Sequence, residues 1–164
     1  MGKKNMILYH GSNVVVEKPE VNAGRRALDF GAGFYLTSNR DQAERWAQAV
    51  ARRRQSGRAI LNCFEFDETK IGFLKVLRFD GPNSAWLDFV VSNRKGVCGS
   101  SAFDIVIGPV ANDSTMPVID DYMDGRYTKE EAIVRLLPQK LTDQYAFVSE
   151  KSLTVLSYMG SEAL

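Results

Sequence analysis

Apolar and polar positions alternate along the chain in short segments that predict strands and amphipathic helices. Residues 6–9 form an apolar run stopped by Gly11-Ser12, which predicts a first strand that delivers His10 at its end. Residues 13–32 carry Pro19, Gly24, Gly31 and many polar side chains, and read as a long irregular loop, a length usually kept for function. Residues 34–37 read as a second strand. Ser38 or Asn39 then caps a helix in which Ala43, Trp46, Ala47 and Val50 recur at helical spacing, running to about Arg54.

Residues 59–66 and 73–79 predict strands separated by the polar connection 67–70. Residues 84–93 predict a helix, and 103–107 a strand closed by Gly108-Pro109. Two helices follow over 113–123 and 128–137, the second opened by the capping box Thr128-x-x-Glu131 and stopped by Pro138. Residues 144–148 and 153–158 predict the last strands. Strands and helices mix without regular βαβ alternation, so the expected class is α+β.

No repeat or linker divides the 164 residues, and a 45% hydrophobic, 25% charged composition fits one domain over 1–164. A chain of this size buries roughly two-thirds of its unfolded surface, so no disulfide or metal is needed for a core. Cys63 and Cys98 match neither a disulfide framework nor a metal spacing, and one histidine builds no zinc cluster; no metal is expected. Lys and Arg total 21 against 20 Asp and Glu, a net charge of +1, so any nucleic-acid binding must be local. With no signal peptide and no stretch of about 20 apolar residues, the expectation is a cytoplasmic protein without a membrane partner.

Three places carry candidate chemistry. His10 titrates nearest neutrality, and reads either as a histidine paired to backbone at a strand end or as a ligand-binding group. Gly31-Ala32-Gly33 precedes a strand whose Tyr35 offers a flat face for stacking; a glycine turn feeding a core strand is the plainer reading. Arg52-Arg53-Arg54, Arg58 and the loop pair Arg25-Arg26 could grip phosphates, although a basic run at a helix C-terminus also suits the helix dipole.

In order, Leu8-Tyr9-His10-Gly11-Ser12, Gly33-Phe34-Tyr35-Leu36-Thr37 and Gln144-Tyr145-Ala146-Phe147-Val148 resemble the His-Tyr-Glu class of mono-ADP-ribosyltransferases, the diphtheria-toxin and PARP-like branch. Nearly the whole chain resembles the bacterial DUF3990 family of that superfamily, including Arg26-x-x-Leu28-Asp29-Phe30-Gly31, Trp86-Leu87-Asp88-Phe89-Val90-Val91 and the run from Asp104 to Asp113. The resemblance implies a split β-sheet core with flanking helices and NAD as co-substrate. It implies that His10 bonds the nicotinamide ribose, that Gly11 holds the carboxamide, and that Tyr35 stacks the nicotinamide. Ser12, Gly33 and Arg25 or Arg26 complete the implied NAD site. Gln144 stands where the superfamily has its catalytic glutamate; it can orient a hydroxyl but cannot accept a proton as a carboxylate does. Should Gln144 not serve, Asp143 and Glu150 are the nearby acids.

The implied activity is mono-ADP-ribosyl transfer to an intracellular macromolecule, protein or nucleic acid, by the toxin of a toxin-antitoxin or phage-defence pair, with a cognate antitoxin as partner. The alternative is a catalytically weak NAD or ADP-ribose binding regulatory module on the same fold. A third reading is an RNA-directed enzyme whose arginines 52 to 58 hold the acceptor's phosphates.

Overall fold

The computed structural model describes residues 5–21, 29–96 and 102–164. It is α+β and holds two sheets. Strands β1 (Asn5–Ser12), β3 (Ile60–Asp67) and β7 (Leu156–Ala163) form an antiparallel sheet in the order β1-β3-β7. Strands β2 (Phe34–Leu36), β4 (Val76–Arg78), β5 (Ile105–Pro109) and β6 (Asp143–Phe147) form the second, in the order β2-β6-β5-β4. Only β4 and β5 are parallel, and a parallel pair needs a crossover; helix α2 (Ser84–Arg94) lies in it.

Period-two side-chain alternation assigns the faces. Leu8 of β1, Phe64 and Phe66 of β3, Phe34 and Leu36 of β2, Ile105 and Ile107 of β5 and Tyr145 and Phe147 of β6 build one core between the sheets. The alternate residues Val106 and Ala146 join a second core with Trp86, Leu87 and Val90 of α2, Ile119 of α3 (Met116–Met123) and Ala132 and Leu136 of α4 (Lys129–Leu136). Helix α1 (Arg40–Arg54) packs on β1 and β3. Its N-cap is Asn39, whose side chain accepts from Gln42 N.

Several boundaries differ from the sequence expectation. β1 continues through His10 to Ser12, because Gly11 lets α1 lie on the strand: a Cβ there would stand 2.2 Å from Ala43 O and 2.6 Å from Ala47 N. β4 is three residues long, since Leu74 N turns back to Ile71 O and leaves Phe73 exposed. β5 does not close at Gly108-Pro109 but includes both, paired with Gln144 and Asp143; a proline can end a strand because it lacks only a donor. α3 starts at Met116 because Asn112 Oδ1 takes the amides of Ser114 and Thr115 in a local turn. The predicted strand 153–158 is a 3-10 turn, Glu150–Val155, followed by β7. Ser149 accepts from Ser152 N and starts that turn, while β7 runs past Tyr158 through a bulge at Gly160, with φ at 131°.

Candidate functional site

Among the described residues, one backbone bridge joins the two sheets near their ends: Tyr9 N donates to Thr37 O at 2.8 Å and Thr37 N to Tyr9 O at 3.0 Å. The next residue of β1, His10, therefore stands beside β2. Its Nδ1 lies 2.7 Å from Tyr35 O. A carbonyl only accepts, so the proton sits on Nδ1 and Nε2 is left as an acceptor. The ring stacks on Phe34 with centroids 4.1 Å apart. Burial pushes the imidazole down to about 4, against the opposing hydrogen bond to Tyr35 and with help from the positive Arg54. His10 is therefore neutral at pH 7.

Tyr35 follows Phe34 and so faces the other way, toward the second core. Its hydroxyl accepts from Phe30 N at 3.0 Å and donates to Gly31 O, which ties the turn at 29–31 to β2. Gly31 has φ at 90°, a conformation in which a side chain is strained. Burial, reinforced by the nearby Asp29 carboxylate, holds the phenol far above its usual pKa although the Phe30 hydrogen bond opposes. The hydroxyl is spent on this turn, so the ring is what Tyr35 offers a ligand.

Gln144 sits on β6 opposite Gly108 and shares the face of Ala146. It is 4% exposed, and its Nε2 is buried with no partner among the described residues. Unpaired buried amides are uncommon, and a lost partner costs about 1–3 kcal/mol.

His10, Gly11, Tyr35 and Gln144 line one cleft of about 330 Å³, the scale of a small-molecule site. Trp46, Ala49, Val50 and Arg53 form its α1 wall, residues at i, i+3, i+4 and i+7 that share a helix face. A second lobe of about 270 Å³ meets it at His10, Gly11, Val50 and Arg53, and adds Ser12 and Arg54. The basic run thus divides: Arg53 lines both lobes, and Arg54 lines the second while its Nη1 donates to Asn13 Oδ1 at 2.8 Å.

Of the expected site residues, the structure brings His10, Gly11, Ser12, Tyr35 and Gln144 to these lobes. Gly33 is not on the lining; its lack of a side chain admits Phe147 O, 2.8 Å from where a Cβ would be. Arg25, Arg26 and Cys98 lie outside the described residues. Asp143 and Glu150 do not line the cleft either. The Asp143 carboxylate accepts from Thr37 Oγ1 at 3.0 Å and Ser38 N at 2.9 Å, and Glu150 opens the 3-10 turn. The carboxylate on the first lobe is Asp29, 2.7 Å from Arg94 Nη2. Asp29 and Trp46 went unassigned from the sequence, and Arg53 was expected only as part of the basic run 52–54; the helical spacing of Trp46, Val50 and Arg53 is the signal that reveals the wall.

Buried Asn62 braces the segment after β1. Its Oδ1 accepts from Val16 N at 2.9 Å and Ser161 Oγ at 2.6 Å, and its Nδ2 donates to Val14 O at 3.2 Å and His10 O at 3.3 Å. Among the described residues, no helix is long and apolar enough to cross a membrane. No curated protein and no solved structure matches the chain. The model of DUF3990, a family described as protein of unknown function, matches residues 6–158, and the chain belongs to that family.

Proposed function

We propose that the protein is an NAD-dependent mono-ADP-ribosyltransferase on an ADP-ribosyltransferase-like fold, moving ADP-ribose from NAD to an intracellular macromolecule. The observation that carries this reading is the unpartnered, buried amide of Gln144 in the same cleft as the His10 acceptor nitrogen and the Tyr35 ring. Neutral His10 accepts a ribose hydroxyl proton at Nε2, the Tyr35 ring stacks the nicotinamide, and Gln144 orients the ribose or the acceptor. Arg53 and Arg54 supply the cationic side of the cleft for the diphosphate, the role first expected of Arg25 or Arg26. The bond from ribose C1′ to the nicotinamide nitrogen breaks, and nicotinamide leaves neutral with the electron pair. An acceptor lone pair forms the new bond at C1′, and the acceptor's proton passes to solvent.

Gln144→Ala tests the reading with labelled NAD and a cell lysate. Turnover falls roughly 10- to 1000-fold, the scale of losing one well-placed polar group, while NAD affinity changes far less. Equal transfer by the variant removes Gln144 from the mechanism.

One observation favours the second reading, a weak NAD or ADP-ribose binding regulatory module. Gln144 is neutral and Asp29 is paired with Arg94, so the described lining of the first lobe offers no unpaired carboxylate to a cationic transition state. Calorimetry then shows NAD binding with no label transferred to any macromolecule. A role as the toxin of a toxin-antitoxin or phage-defence pair in the cytoplasm follows from the transferase reading. It predicts growth arrest on expression without an antitoxin, relieved by His10→Ala.

A further inference from the structure

Beyond the first lobe the cleft opens into a groove of about 880 Å³, which shares Trp46, Ala49, Val110 and Ala111 with it. One wall is the outward side of α1 with Arg45 and Arg52; the other is the turn of residues 112–114 with Lys140 and Thr142. Arg45, Arg52 and Lys140 form no ion pair among the described residues, and Asp113 is the single carboxylate on the described lining. Arg45 and Arg52 are seven residues apart, so they stand about 10 Å apart along the helix axis. The walls are fixed before any ligand arrives. Asn112 Oδ1 accepts from Ser114 Oγ at 2.7 Å, and Gln42 Oε1 accepts from Thr142 Oγ1 at 3.2 Å, which links α1 to the opposite wall.

We propose that this groove binds single-stranded nucleic acid as the acceptor of the transferase reading, with Arg45, Arg52 and Lys140 on its phosphates and Trp46 stacked on a base. The inference rests on that reading only for the word acceptor; the binding site stands on its own geometry. Cations spaced along a track with an aromatic face between them match a strand that repeats phosphate and base. The exposed amide of Gln48 suits a base edge, which an acidic peptide lacks. A duplex must first flip a base out of its stack to bring that base's atoms to the His10 lobe, whereas an unpaired strand need not. When transfer occurs, a nitrogen or oxygen lone pair of the bound strand attacks ribose C1′, nicotinamide departs with the C–N electron pair, and the proton of the attacking atom goes to water.

Fluorescence anisotropy with labelled single-stranded RNA and DNA oligonucleotides, a duplex and poly-glutamate as competitor tests the site without NAD. With three phosphates engaged, affinity for the single strand drops roughly 20-fold between about 50 and 200 mM salt, and Arg52→Gln lowers the salt slope by about 0.7. Arg45→Glu and Arg52→Glu weaken binding further and leave NAD calorimetry and thermal unfolding unchanged. An oligonucleotide that does not bind, or that binds both variants as well as the wild type, overturns the proposal. So does a duplex that binds as tightly, or poly-glutamate that displaces the strand at equal charge concentration. If the strand binds through these arginines but takes no label from NAD while a lysate does, the groove stands and its role as acceptor falls; if neither takes label, the transferase reading falls as well.

Discussion

Two side chains in the cleft, His10 and Tyr35, have roles that separate cleanly by substitution. An unfolded chain protonates His10 near 6.5 and the folded protein near 4. Between those values the unfolded state holds more protons, so the contribution of His10 to stability is complete above about pH 6.5 and fades as pH falls toward 4. Near pH 5 the loss relative to pH 7.5 is about 2 kcal/mol, and urea unfolding of wild type against His10→Asn isolates it. An identical drop in both proteins assigns the pH dependence to other groups. For Tyr35, the ring and the hydroxyl do different jobs. Tyr35→Ala weakens NAD binding by about 1–3 kcal/mol, as loss of a stacking partner does. Tyr35→Phe keeps the ring and releases the turn at Phe30 and Gly31, so calorimetry gives near wild-type affinity while unfolding gives a stability lower by about 1 kcal/mol.

The elements themselves were largely legible, and the exceptions have local causes. Periodicity located α1, α2 and α4 to within two residues because each has a polar cap and a regular apolar stripe. It stopped β1 and β5 too early at Gly11 and Gly108, since glycine signals both a chain turn and a place where another element needs space, and it ended β7 at Tyr158, short of the bulge at Gly160. At Gly11 the second meaning governs, and it positions the site: the α1 backbone, pressed onto β1, brings Trp46, Val50 and Arg53 over His10. Gly11→Ala must push that helix away. We expect a loss of about 1–3 kcal/mol in unfolding free energy, the range for overpacking, together with weaker NAD binding. Gly72→Ala, where a Cβ meets nothing within 4 Å, serves as the control. If Gly11→Ala binds NAD and melts like the control, the close approach of helix and strand is not what shapes the cleft.

At the scale of the whole molecule, the cleft is assembled from residues distant in sequence: His10 belongs to one sheet and Tyr35 and Gln144 to the other, and one backbone bridge at Tyr9 and Thr37 connects them. Residue spacing alone could not bring His10 and Gln144 together, because nothing local in the 133 intervening positions records that β6 pairs with β2; the family resemblance supplied that link. It did not supply Arg53 or the outer groove, which depend on how α1 lies on β1 and β3. Such a junction makes a specific demand on ligand binding. A molecule held by His10, Tyr35 and Gln144 at once must hold the two sheets together, and at about 100 times its dissociation constant it adds roughly 2.7 kcal/mol to the unfolding free energy. Hydrogen exchange with and without NAD should therefore slow together in residues 8–12, 34–37 and 143–147, which are not contiguous, while the far ends of β3 and β7 near Phe66 and Leu156 change little. Protection confined to one of the two sheets would place NAD elsewhere and remove the shared cleft as its site.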